Sequence, residues 1–93
     1  MRVSLTFFGI LRDQVGQKTL GVDLPQGSFV SDLIEAIAPV MEQTLAGWAW
    51  DAERRSFSSR VVVSRRGEAG SRDLTAALVD GEEILVLPPI AGG

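Results

Sequence analysis

Ninety-three residues, 45% of them apolar and 23% charged, suit one small globular domain. A net charge of −3 argues against non-specific nucleic-acid binding. With no cysteine and no histidine, a disulfide framework, a thiolate nucleophile, a soft metal site and an imidazole base are all excluded. No stretch approaches the ~18 uninterrupted apolar residues of a membrane span. The opening MRVSLTFFGI lacks the apolar core and cleavage site of a secretory signal, so the expected location is the cytoplasm.

Residues Arg2 to Phe8 alternate, with Arg2, Ser4 and Thr6 against Val3, Leu5 and Phe7, which predicts a half-buried strand. Phe8 breaks the pattern, because it falls on the polar side. Gly9 to Gly16 reads as a connection with a helical turn at Ile10 to Val15. Lys18 to Leu24 is the next strand, with Leu20, Val22 and Leu24 on one face, and the two strands form a hairpin with a long loop. PQGS at 25–28 is turn chemistry, and Ser28 is placed to cap a helix. Val30, Leu33, Ile34 and Ile37 recur at helical spacing, with Asp32 and Glu35 near the favourable N-terminal end. Pro39 is expected to end or kink that helix near Ala38, with a second short helix over Val40 to Trp48.

Asp51 to Ser59 is polar and reads as loop. Arg60 to Ser64 holds three consecutive valines and reads as a buried strand, followed by an exposed turn at 64–71. Arg72 to Leu78 fits either a short edge strand or one helical turn. Asp80-Gly81 marks a tight turn, and Glu82 to Leu87 is the last strand. No repeat, low-complexity tract or domain linker interrupts the chain.

The order is strand, strand, helix, strand, the short segment at 72–78 and a final strand. A helix after a hairpin covers one face of a small mixed sheet. The first and last strands are apolar and free of proline, so they are natural central neighbours. Parallel pairing between them needs a crossover, which the helix supplies. The predicted class is therefore α+β, a β-grasp (ubiquitin-like) fold. Its mixed sheet has four or five strands and carries one main helix on one face. Residues 1–87 form the domain, and 88–93 form an extended, flexible C-terminal tail.

Parallel neighbours finish at the same sheet edge, which brings Phe8 and Leu87 together. In the last strand, Ile84 and Val86 share one face, and Glu83, Leu85 and Leu87 the other. An exposed apolar patch of Phe8 and Leu87 is expected beside the tail, and such patches mark partner surfaces. Pro88 and Pro89 end the ladder and favour an extended path. Ile90 and Ala91 offer little side-chain contact. Gly92 and Gly93 lack Cβ atoms and can thread a narrow channel. Together these features make the Gly93 carboxylate the expected reactive group.

Other charged and aromatic residues read as structural. Arg54, Arg55, Arg60, Arg65 and Arg66 are expected on a solvated hairpin and loop, and Trp48 and Trp50 in or at the core. Asp80, Glu82 and Glu83 are expected as a solvated acidic edge available to basic residues of a partner. Arg12 and Asp13 read as surface charges.

FFGILRDQVG at 7–16, the helical VSDLIEAI, and DGEEILVLPPIAGG at 80–93 resemble the small subunit of molybdopterin synthase, within the wider group of ubiquitin-like sulfur carriers. The middle departs from that pattern, where VVVSRRGEAGSRD replaces a compact strand-turn. The resemblance implies that Gly92 and Gly93 carry the chemistry. Pro88, Pro89, Ile90 and Ala91 would be the inserted tail, with Phe8 and Leu87 on the docking surface. It implies no stably bound cofactor and no metal ligand. A ubiquitin-activating-type enzyme would use ATP and magnesium to adenylate Gly93, and a sulfur donor protein would convert it to a thiocarboxylate. The large subunit of molybdopterin synthase would use that sulfur on a pterin precursor, so this chain is a co-substrate rather than catalytic alone. The absence of cysteine and the single lysine, Lys18, suit a carrier of an activated acyl group. Sulfur delivery for thiamine, cysteine or tRNA thiolation shares the same ending, as does a ubiquitin-like protein modifier. Nucleic-acid and membrane partners are not expected.

Overall fold

The computed structural model describes residues 1–65 and 75–89. In chain order these are strand β1 (Arg2–Phe7), helix α1 (Gly9–Val15), β2 (Thr19–Asp23), helix α2 (Val30–Thr44), the short strands β3 (Trp50–Asp51) and β4 (Ser56–Phe57), β5 (Val62–Arg65) and β6 (Glu83–Leu87). Four strands make one mixed sheet in the order β2-β1-β6-β5, and β3 and β4 form a separate two-stranded ladder. With α2 on one face of the sheet, this is the expected β-grasp arrangement.

The alternation in β1 works as a packing code. Val3, Leu5 and Phe7 are all buried and meet Ile84 and Val86 of β6 and the buried side of α2. β1 pairs antiparallel with β2, Val3 opposite Val22 and Leu5 opposite Leu20. It pairs parallel with β6, Leu5 opposite Ile84 and Phe7 opposite Val86. Asp80 and Gly81 turn the chain into β6, with Gly81 at a φ of 82°, its N–H bonded to the Arg2 carbonyl at 2.7 Å. The Asp80 carboxylate accepts the Arg2 N–H at 2.8 Å.

The connection between β1 and β2 is a full helix. Leu11 and Val15, four residues apart, bury one stripe of α1. Gly16 closes it in the left-handed conformation, φ 84°, with its N–H on the Arg12 carbonyl.

Helix α2 corrects two expectations at once. It runs through Pro39 to Thr44, so no second helix spans Val40 to Trp48. The apolar stripe explains why: Ile34, Ile37, Ala38 and Met41 are all buried and continue it past the proline. Pro39 itself is exposed, as is Glu35 one turn earlier, so water can solvate the carbonyl that loses its partner. Nor does Ser28 cap the helix. Its hydroxyl donates to the Pro25 carbonyl at 2.8 Å. Asp32 serves the helix start instead, accepting the Phe29 N–H at 2.8 Å.

The segment read as a polar loop holds the β3–β4 hairpin, where Trp50 meets Phe57 edge-on with ring centroids 5.2 Å apart. Trp50 and Phe57 are buried and Trp48 half-buried, as expected of core and core-edge residues. Arg55 ties this hairpin to α2 through Glu35 and Glu42, each at 3.6 Å. Arg54 and Arg60 are exposed, and Arg66 lies outside the described residues. The three valines do not form a uniformly buried strand. β5 is an edge strand, and Val61 and Val63 are buried while Val62 faces out. Most of the exposed turn at 64–71, and residues 72–74 of the segment 72–78, lie outside the described residues. Ala77 makes an isolated bridge to Phe29.

Candidate functional site: the tail root and the open sheet face

Parallel pairing of β1 with β6 brings the ends of both strands to one edge. The Phe8 N–H donates to the Val86 carbonyl at 3.0 Å, which extends the ladder by one residue and sets Phe8 across from Leu87. On the other side of β6, Leu87 is opposite Val62. Residues opposite one another in a sheet share a face. Phe8, Leu87 and Val62 therefore form a row across three strands on the face turned away from α2.

Phe8 is 38% exposed and Val62 37%, and Leu87 is half-buried. One row further back, Thr6, Leu85 and Ser64 follow in the same register. On either side of Leu85 the face turns polar: Ser64 lies on one side, and on the other the Thr6 hydroxyl donates to Glu83 Oε2 at 2.8 Å and lies 3.4 Å from that of Thr19. A single apolar band at the strand ends, bounded by polar groups, is the form of a docking surface.

Phe8 and Leu87 thus lie where the alternation placed them. Val62 and Leu85 complete the band and were not assigned to it from sequence. Reading Val61, Val62 and Val63 with a period of two, rather than as one buried run, exposes Val62.

Pro88 begins the tail directly beside this band. It lacks an N–H and cannot extend the β6 ladder. It is half-buried, with its ring against Gly9: a Cβ on Gly9 would stand 3.3 Å from Pro88 Cγ. Pro89 is also half-buried. Ile90, Ala91, Gly92 and Gly93 lie outside the described residues, so the tail assigned to 88–93 is described only at its root.

The acidic residues around the last turn are not a free solvated edge. Arg65 and Glu82 form a two-pronged ion pair, with Arg65 Nη2 on Glu82 Oε1 at 2.7 Å and Arg65 Nε on Oε2. Glu82 Oε1 also accepts the Val79 N–H, and Arg65 donates to the Ala77 carbonyl, both at 3.0 Å. Burial alone would raise the Glu82 pKa. The Arg65 hydrogen bonds, the Val79 N–H and the Arg65 charge together outweigh it and hold this carboxyl below its ordinary value. The pair clamps the end of the β5–β6 ladder remote from Leu87. Glu82 is thereby occupied within the chain and is not offered to a partner.

Among the described residues no group of three or more acidic side chains is placed to hold a metal ion. No helix among them is long and apolar enough to cross a membrane.

The family model described as the ThiS family matches residues 5–93. Over 93 residues the chain is 27% identical to small archaeal modifier protein 3 of Haloferax volcanii, spanning all of both proteins. Among solved structures, small archaeal modifier protein 1 (SAMP1) of Haloferax volcanii superposes with a TM-score of 0.77 at 25% identity, again covering both chains fully. A chain from the complex of subunits 1 and 2 of the Helicobacter pylori molybdopterin-converting factor superposes with a TM-score of 0.61 at 20% identity, covering 100% of each. That last likeness is one of fold.

Proposed function

The chain belongs to the ThiS family, a ubiquitin-like group of small modifiers and sulfur carriers, and from that premise we propose that it carries sulfur on the carboxylate of Gly93. The observation that carries the reading is the convergence at one sheet edge. The band of Phe8, Leu87 and Val62 lies beside the point where Pro88 and Pro89 lead the chain off the sheet towards Gly92-Gly93.

The chemistry follows from what the chain lacks. A carboxylate is a poor acyl donor, and without cysteine no side-chain thiol can carry sulfur. A ubiquitin-activating-type enzyme using ATP and magnesium would couple a Gly93 carboxylate oxygen to the α-phosphorus of ATP, with pyrophosphate as the leaving group. The terminal sulfur of a donor protein's persulfide would then displace AMP, and a thiol would reduce the resulting acyl disulfide to leave a thiocarboxylate on Gly93. In the active site of a molybdopterin synthase large subunit, that sulfur would pass to the pterin precursor. Hydrolysis of the spent acyl group would return the carboxylate, and two such transfers would supply both sulfurs of the dithiolene. The band of Phe8, Leu87, Val62 and Leu85 would seat on the large subunit, and Pro88 to Ala91 would enter it. The fold shared with a chain of the two-subunit Helicobacter pylori factor supports this pairing.

A second reading rests on the names of the relatives. Two proteins 27% and 28% identical to this chain are small archaeal modifier proteins. In that role the same adenylated Gly93 would acylate a lysine amine of another protein and release AMP.

Reconstitution separates the two. The chain bearing a Gly93 thiocarboxylate is mixed with a large subunit and the pterin precursor, and dithiolene formation is followed. Product that disappears when Gly93 is deleted supports sulfur delivery to the pterin. No product from a large subunit competent with its own partner, together with Gly93-dependent conjugates in cell extract, supports the modifier role.

A further inference from the structure

At the tail root two chain segments part company. β1 makes its last bond to β6 at Phe8 and turns into α1 at Gly9, while β6 stops at Leu87 and Pro88 leaves the sheet. Gly9 has a φ of 58°, in the left-handed region that favours glycine. The Cβ it lacks would stand 3.3 Å from Pro88 Cγ and 3.9 Å from Pro88 Cδ. Pro88 cannot swing away freely, because its ring fixes its own φ. The gap between the parting segments is thus set by an absent side chain on one side and a rigid ring on the other.

Gly16, at the opposite end of α1, supplies the contrast. Its φ is 84°, yet an added Cβ there would meet nothing within 4 Å. Backbone conformation accounts for Gly16 completely. At Gly9 it leaves the contact with Pro88 unexplained.

We propose that Gly9 is a positioning residue, whose missing side chain sets the direction in which the tail leaves the sheet and hence how Gly93 meets a partner's active site. The second half of that statement rests on the functional reading given above, and the first half does not. A Cβ at Gly9 would require Pro88 to give way by a few tenths of an ångström. Every residue after Pro88 starts from the direction that Pro88 takes as it leaves the sheet.

The test uses asparagine, which tolerates the left-handed region, so that bulk rather than backbone strain is varied. Gly9→Asn is compared with Gly16→Asn. Because the chain has no cysteine, Ser31→Cys with Gly93→Cys gives two specific spin-label sites, one on the exposed side of α2 and one at the tip. Gly9→Asn is expected to shift the label-to-label distance distribution, while Gly16→Asn leaves it in place. An unchanged distribution in Gly9→Asn, or an equal shift in both, overturns the inference. If Gly9→Asn does not fold, Pro88→Ala with Gly9 intact removes the ring from the same contact and is expected to shift the distribution, and an unchanged distribution there overturns the inference.

In chains with native Gly93, pyrophosphate exchange by the adenylating enzyme reads the consequence. Gly9→Asn should lose about tenfold or more in kcat/KM, with Gly16→Asn within about twofold of wild type. A distance shift without a loss of rate overturns the claimed effect on presentation. A wild-type chain that is not adenylated overturns the functional reading, and the distance measurement still decides the role of Gly9 in direction.

Discussion

Replacing Glu82 by glutamine (E82Q) should destabilise the fold by about 2–3 kcal/mol at pH 7, because it removes the carboxylate charge and one of its two bonds to Arg65 from a largely buried site. The Glu82 side chain is 8% exposed and its partner Arg65 22%, so solvent screens little of the interaction. Glutamine keeps one acceptor oxygen but turns an amide donor towards a guanidinium that can only donate. The exposed pair Arg2–Asp23 sets the contrast, with side chains 64% and 77% exposed. Breaking it should cost under about 0.5 kcal/mol. The pH dependence fixes the sign. The folded protein holds the Glu82 pKa below its ordinary value of 4.5, so the pair contributes fully above 4.5. As pH falls, the unfolded chain takes up its proton first, and the contribution is lost through the lowered folded value. Urea denaturation of both proteins in steps from pH 7 downward should show a gap that narrows below 4.5. A gap under about 0.5 kcal/mol at pH 7, or one independent of pH, would mean that the pair contributes no more than an exposed one. Docking should survive in E82Q, since the pair clamps the end of the ladder remote from Leu87.

Val62→Asp places a charge in the apolar band without touching the core. It should weaken large-subunit binding about 30-fold or more with a stability change near 0.5 kcal/mol, read by calorimetry and urea titration. Pro39→Ala restores a donor in the middle of α2 and should raise stability by about 1–3 kcal/mol, measured by the shift in urea midpoint.

The periodicity of β1, β6 and α2 made the centre of this fold legible, because alternation and helical spacing each demand one buried face. Parallel pairing of first and last strands followed, and with it the meeting of Phe8 and Leu87. Local rules failed where tertiary packing overrode them. Pro39 reads as a stop or a kink, and the buried stripe through Met41 carries the helix past it. Ser28 reads as a cap, but a turn carbonyl takes its hydroxyl. Glu82 reads as solvated because its partner Arg65 is 17 residues away, beyond any local pattern. Val62 was hidden by its identity with its neighbours, and the contact between Gly9 and Pro88 by the 78 residues of chain between them. The tail's chemistry came from composition and resemblance, since Ile90 to Gly93 lie outside the described residues.

The most direct test of sulfur carriage is the intact mass of the chain after incubation with the adenylating enzyme, ATP, magnesium and a sulfur donor. The expected result is the mass gain of exchanging one carboxylate oxygen for sulfur, localised by fragmentation to Gly93 and absent when Gly93 is deleted. An unchanged mass, with the enzyme and donor shown active on another carrier, would contradict it.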